Sequence, residues 1–197
     1  PTFGVSPDRV QAIIAGGATA IQQSVEGAED QAPAGALAVR ERGVSDGDVL
    51  CGITASGRTP FVRGALEAAR ALGARTILLT CNPARTKNNL QADVEIDLPT
   101  GPELLTGSTR LKAGTATKVA LNIISSSTMI RLGHVDGNFM SCLRPTNHKL
   151  RARAKRIVAA RLGVSEKEAE NRLQRANWNI REVLNLSRGA KPDNPVA

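Results

Sequence analysis

The chain has 197 residues and a net charge of +8, set by 26 Lys+Arg against 18 Asp+Glu, with 2% aromatic residues and no tyrosine. That length fits one domain, or one domain with a small appendage, and the 41% apolar share with 18 glycines excludes a disordered chain. No run approaches the roughly 20 apolar residues of a membrane span, and three scattered cysteines (Cys51, Cys81, Cys142) with two histidines exclude a disulfide scaffold, a zinc finger and a His-based metal site.

Ser6-Pro7-Asp8 predicts a helix start: a capping hydroxyl, a proline at the first helical position, then an acid. Val10, Ile13, Ile14, Ile21 and Val25 supply apolar positions for two helices broken at Gly16-Gly17. A third helix is expected over 34–42, ending at Gly43. Asp48 to Ile53 is a short apolar run that predicts a buried parallel strand, in which Cys51 is a core residue. A polar loop and a helix over 60–72 follow, then a second buried strand at 75–80, so strand, helix and strand make a βαβ unit. Residues 93–98 predict a shorter strand. Residues 113–132 predict a long helix with Ala116, Val119, Ala120, Ile123, Ile124 and Ile130 facing inward. The fold class is α/β with a parallel sheet.

The positive charge is confined to the end of the chain. Residues 1–143 hold 13 basic and 13 acidic side chains, whereas residues 144–188 hold 12 basic and 4 acidic. Lys149, Arg151, Arg153, Lys155, Arg156 and Arg161 alternate with Leu150, Ala154, Ile157, Val158 and Leu162 at helical spacing, which predicts an amphipathic helix with a basic outer face. Such a face is solvated or meets an acidic partner. It lacks the aromatic groups that accompany single-stranded nucleic-acid binding, so no nucleic acid is expected. The tail 191–197 is expected to be flexible.

The chemistry points to Thr54-Ala55-Ser56-Gly57-Arg58-Thr59-Pro60. In an open α/β sheet, ligands sit at the carboxyl ends of the strands, which is where this loop falls. Hydroxyls of Thr54, Ser56 and Thr59 can converge on one anion, Gly57 lets the backbone approach, and Pro60 begins a helix whose free N–H groups favour negative charge. The pattern is neither GxxxxGK[ST] nor GxGxxG, which excludes the usual ATP and dinucleotide loops.

These residues resemble the Ser-x-Ser-Gly-x-Thr loop of the sugar isomerase (SIS) family, with Thr54 in place of the first serine. Gly107-Ser108-Thr109-Arg110-Leu111-Lys112 resembles that family's later Ser-Thr-Lys element. Within the family the chain is most similar to the N-acetylmuramic acid 6-phosphate etherases. The matching blocks are Pro1 to Gly4, Val25 to Asp30, Ala55 to Pro60, Gly107 to Ala116, and Gly137 to Lys149. It departs from them with Pro145 where alanine is expected and Asp136 where tyrosine is expected.

The resemblance implies a SIS-type three-layer fold over residues 1–145, and a small C-terminal helical module of the ubiquitin-associated type over 146–190. Ser165-Glu166-Lys167-Glu168 independently predicts a capping box in that module. The implied reaction is cleavage of the D-lactyl ether of N-acetylmuramic acid 6-phosphate to N-acetylglucosamine 6-phosphate and D-lactate, by elimination and then hydration. It needs two positioned carboxyl groups and no metal or other cofactor. The likeness assigns the catalytic base to Glu29, which would otherwise read as a helix-end acid beside Glu26 and Asp30. It assigns sugar-phosphate binding to Thr54, Ser56, Gly57, Thr59, Ser108, Thr109 and Lys112; Arg110 and Lys112 can neutralise a phosphate or a lactate carboxylate. It further implies a homodimer, and the three scattered cysteines fit reduced thiols in a cytoplasmic protein. The family's other catalytic glutamate, its first strand and its Gly-rich loop are expected upstream of Pro1, and with Pro1 in place of Met a fragment or a processed form is the expectation. The alternatives are a non-catalytic sugar-phosphate regulator, which needs the hydroxyl loop but no base, and a basic interaction module built on 144–188.

Overall fold

The computed structural model describes residues 2–83 and 91–185, so the tail 191–197, the last residues of the expected helical module and Pro1 lie outside the described residues. The chain divides into two compact units, residues 12–121 and residues 1–11 with 122–197.

The first unit is built on three parallel strands, β1 (Val49–Ile53), β2 (Arg75–Thr80) and β3 (Val94–Asp97), in the order β1-β2-β3. The register sets Gly52 beside Leu78 and Leu78 beside Glu95. Helix α1 (Ala32–Glu41) precedes β1, and α2 (Pro60–Ala71) joins β1 to β2, completing the expected βαβ unit. Leu66 of α2 packs on Leu78 of β2, with Leu50 and Val62 around them. On its other side α2 buries Ala65, Ala68 and Ala69 against Val39 of α1 and Ala74. Full burial of an aliphatic side chain such as Leu66, Leu78 or Val39 contributes about 1.5–3 kcal/mol, so these few contacts fix α2 against the sheet on one side and α1 on the other.

Several expectations are corrected. The two helices expected between Pro7 and Val25 are short 3-10 turns, Pro7–Arg9 and Gly17–Ile21, followed by a third at Ala28–Asp30. The Ser6 hydroxyl is bonded to the Asp8 carboxylate, not to a helix N–H, and Gly16, Gly17 and Gly27 all take positive φ. Val10 and Ile21 are about two-thirds exposed and only Ile13 of the expected apolar positions packs on the α1–α2 core, too little to sustain an amphipathic helix. Strand β1 is not fully buried: it lies at one edge of the described sheet, with Val49 and Ile53 exposed and Cys51 half-buried.

Helix α3 (Lys112–Arg131) has the expected bounds within a residue. Its inward stripe is Ala113, Ala116, Ala120 and Ile124, whereas Val119, Ile123 and Ile130, expected inside, are exposed. The two sets lie on neighbouring stripes of one helix, and the stripe of mostly small residues is covered, as is Met129 near the helix end.

In the second unit, α4 (His148–Leu162), α5 (Glu166–Arg175) and α6 (Ile180–Val183) enclose Leu143, Ala154, Ile157, Val158, Ala169, Leu173 and Ile180. Leu162, expected on the apolar face of α4, is exposed because the helix ends there at Gly163, in the left-handed region. Asn147 caps α4 through the N–H of Leu150, and Ser165 caps α5 through the N–H of Glu168, as its capping box predicts. Asp136 forms a two-pronged ion pair with Arg161, at 2.7 and 2.9 Å, so this departure from the family pattern acquires a partner of its own.

Candidate functional site

The expected anion loop leaves the carboxyl end of β1. Thr54 is buried, and its N–H donates to the Leu79 carbonyl of β2, which carries the loop across the strand ends. Its hydroxyl lies 2.8 Å from that of Thr59 and 3.4 Å from that of Ser56, so Thr54 is the hub of the hydroxyl cluster. Ser56 is exposed, and its oxygen accepts the Arg58 N–H at 3.2 Å. Gly57 turns the chain at φ 70° and donates its N–H to the Thr54 carbonyl. Thr59 stands at the N-cap of α2, yet its hydroxyl makes no capping bond, being turned to Thr54. The start of α2 is thereby left without a side-chain cap, with the positive end of the helix dipole beside a cluster of hydroxyls.

A cavity of about 450 Å³ opens here, lined by Ala55, Ser56, Cys81, Asn82, Pro99 and Thr109 among others. Cys81 and Asn82 follow β2 directly, and the Asn82 side-chain amide donates to the Ser56 carbonyl at 3.1 Å. The Thr80 hydroxyl and the Cys81 N–H both donate to the Ala55 carbonyl, binding the two strand ends together. The Cys81 thiol lies within 4 Å of the Ala113 carbonyl and the Thr117 hydroxyl of α3. Sequence reasoning missed Cys81, Asn82 and Pro99. The signal was available: they occupy the carboxyl end of the second strand and of the third, where an α/β sheet places its ligand.

Of the residues expected at the site, the structure gathers Thr54, Ser56, Gly57 and Thr59 in one loop, of which Ser56 lines the cavity, and brings Thr109 to the wall of that cavity. Ser108 is half-buried, does not line the cavity, and donates its N–H to the Leu105 carbonyl. The Lys112 ammonium donates to the Thr100 carbonyl at 2.9 Å. Glu29 is exposed in the turn Ala28–Asp30, which lies against α2 rather than lining the cavity. Burial pushes the Cys51 thiol above its ordinary pKa, which disfavours the nucleophilic thiolate. Among the described residues, no group of three or more His, Cys, Asp or Glu could hold a metal ion, and no helix is long and apolar enough to cross a membrane.

The family model of the glucokinase regulatory protein N-terminal SIS domain matches residues 3–70. Over 184 residues, 93% of the chain, the sequence is 50% identical to an N-acetylmuramic acid 6-phosphate etherase of Microcystis aeruginosa, covering 60% of that protein. It is 46% identical to the enzyme of the same name from Geobacillus thermodenitrificans and 47% identical to that of Streptomyces avermitilis, covering 62% and 59% of them. The chain therefore spans about 60% of the length of these relatives.

Proposed function

From the premise that the chain is related by sequence to the N-acetylmuramic acid 6-phosphate etherases and carries a SIS domain, we propose that it forms the sugar-phosphate site of an ether-cleaving lyase. One observation carries the reading: the hydroxyls of Thr54, Ser56 and Thr59 cluster beside the uncapped start of α2, at the mouth of a cavity at the strand ends. A phosphate seated there gains hydroxyl and backbone donors together with the favourable end of the helix dipole. Thr109, which lines the same cavity, would contact the sugar, with Ser108 beside it in the chain and Lys112 three residues on.

The chemistry follows from the substrate. An ether oxygen is a poor leaving group, so direct displacement by water is slow. Opening of the sugar ring gives an aldehyde at C1, which makes the C2 proton acidic. A carboxylate removes that proton, the electron pair forms the C2–C3 double bond, and the C3–O bond breaks as a carboxylic acid protonates the departing lactyl oxygen. Water then adds at C3 of the unsaturated aldehyde and a proton returns to C2, giving N-acetylglucosamine 6-phosphate and D-lactate. Glu29 is our candidate for the base at C2, on the strength of the resemblance and of its place against α2. The acid is a second carboxyl group. Assembly as a homodimer in the cytoplasm belongs to the same proposal and is checked by light scattering and by cell fractionation.

Isothermal calorimetry with a 6-phosphosugar tests the site. Ser56→Ala should weaken binding by about 1–3 kcal/mol, because a charged acceptor loses a donor. An unchanged dissociation constant removes the loop from the site. A second reading, a sugar-phosphate regulator without catalysis, is favoured by the family model matched at residues 3–70. Release of D-lactate from the etherase substrate separates the two.

A further inference from the structure

We infer that Glu103 is a positioning residue that fastens the loop 104–111, which carries Thr109 to the cavity wall, an assignment that rests on the sugar-phosphate reading above. Its two carboxylate oxygens accept the first N–H groups of α3, Oε2 from Lys112 and Oε1 from Ala113, each at 2.9 Å. Lys112 reaches back with its ammonium to the Thr100 carbonyl at 2.9 Å. Three bonds thus tie 100–103 to 112–113 and close the intervening loop at its base.

The first half of the loop has little else to hold it, whereas its far end is bonded to α3, where the Leu111 carbonyl accepts both the N–H and the hydroxyl of Thr115. Leu104 is 90% exposed and Leu105 64%, so apolar burial does not anchor its first residues. Its internal bonds are short-range, from Ser108 N–H to the Leu105 carbonyl and from Leu111 N–H to the Ser108 carbonyl. Thr109, at the far end, accepts the Gly114 N–H through its carbonyl at 2.8 Å and contributes to the cavity wall. Thr109 and Leu111 bond α3 directly, and the carboxylate of Glu103 fastens the other end of the loop, so the place of Thr109 relative to Ser56 depends on both attachments.

The electrostatics agree with this role. The backbone N–H of Ala113, then that of Lys112, hold the Glu103 carboxyl below its ordinary pKa, so it is ionised at neutral pH and its bonds are charge-assisted. It also fills the anion-favouring end of α3, while Thr59 leaves the start of α2 uncapped. The two helix starts then have separate roles: α3 receives an internal carboxylate, and α2 is free for the phosphate.

The test separates the phosphate from the sugar. Calorimetry with inorganic phosphate and with N-acetylglucosamine 6-phosphate is carried out on the wild-type chain, Glu103→Gln and Glu103→Ala. In Glu103→Ala the phosphate dissociation constant should stay within about 2-fold while that of the sugar phosphate rises about 10-fold; Glu103→Gln, which keeps one acceptor, should fall between wild type and Glu103→Ala. Ser56→Ala should weaken both ligands. Sugar-phosphate binding that is unchanged in Glu103→Ala overturns the assignment and leaves the functional reading intact. Equal loss of both ligands in the two Glu103 variants also overturns it, since the effect is then not confined to the loop. A wild-type chain that binds neither ligand refutes the functional reading itself.

Discussion

Gly35 of α1 and Gly64 of α2 let the two helices meet backbone to backbone: a methyl group on Gly35 would collide with the Phe61 carbonyl, and one on Gly64 with the Ala32 carbonyl. This contact has consequences beyond packing. The turn that carries Glu29 runs directly into α1, and α2 starts at the hydroxyl loop. The crossing thereby ties the candidate base to the candidate phosphate seat.

In an open helix interior, Gly→Ala gains up to about 1 kcal/mol of propensity. At Gly64 the clash is with backbone, which cannot turn aside as a flexible side chain could, and overpacking of this kind costs about 1–3 kcal/mol. The clash outweighs the propensity gain, so Gly64→Ala should lower the midpoint of thermal unfolding and weaken 6-phosphosugar binding together. Unchanged thermal stability shows that the helices separate without cost.

The sheet carries a pH-sensitive clasp. Asp93 Oδ2 accepts both the Thr76 N–H at 2.7 Å and the Thr76 hydroxyl at 2.8 Å, while the Asp93 N–H donates back to that hydroxyl at 3.1 Å. The Thr76 hydroxyl, then its N–H, holds the Asp93 carboxyl below its ordinary pKa, with Arg75 adding a smaller effect. A folded-state pKa below the unfolded one means that this stabilisation is fully present above about pH 4 and is lost as pH falls through the depressed value. Asp93→Asn should flatten the acid limb of stability against pH, read by urea unfolding across that range. An acid limb identical to wild type removes Asp93 from it.

How much of this was legible in the sequence depends on what held each element. The strands 49–53 and 75–80 and helix 60–71 carry apolar runs long enough to bury a core, and their bounds emerge nearly as expected. Residues 7–25 carry helix-like spacing and a good capping sequence, yet form only 3-10 turns, because local spacing does not supply a surface to pack against. The hydroxyl cluster was visible because its members are near neighbours. Asn82 and Glu103 were not, since Asn82 meets Ser56 across 26 positions and Glu103 meets Lys112 across 9, and only the fold makes those contacts.

Asn82 gives a sharper test of the site than the loop alone. Its amide bonds the Ser56 carbonyl, joining the turn after β2 to the loop after β1. Asn82→Ala deletes that tie without touching a hydroxyl. A neutral hydrogen bond is worth about 0.5–1.5 kcal/mol, so the 6-phosphosugar dissociation constant should rise about 2- to 12-fold. Asn82→Ala with wild-type affinity means that the loop after β1 holds its shape unaided.

The basic helix α4 should not read nucleic acid. Much of its charge is engaged within the unit: Lys155 pairs with Glu170 at 3.2 Å, Arg161 with Asp136, and Arg151 lies over the Trp178 ring at 5.0 Å. Arg153 donates to the Met140 sulfur. Binding to duplex or single-stranded DNA at physiological salt should therefore be weak. Tight binding with a steep log–log salt slope contradicts this.

Glu29 is the residue on which the enzymatic reading turns. Glu29→Gln keeps the side chain's size and an acceptor oxygen while removing the base. Because Glu29 is exposed in a turn and does not line the described cavity, the exchange should leave thermal stability within about 0.5 kcal/mol, as for surface substitutions in general. Its effect should fall on turnover. General base catalysis accounts for about 10²–10⁴-fold, so D-lactate release by the protein carrying this sequence should drop at least by that factor, with little change in 6-phosphosugar affinity. Exchange of the substrate's C2 proton with deuterated solvent should fall in parallel, because the same group removes that proton before the ether breaks. Undiminished exchange in Glu29→Gln, with lactate release lost, would move Glu29 from base to a later step. Retention of both would leave Glu26 and Asp30, its neighbours around the same turn, as the carboxylates to substitute next.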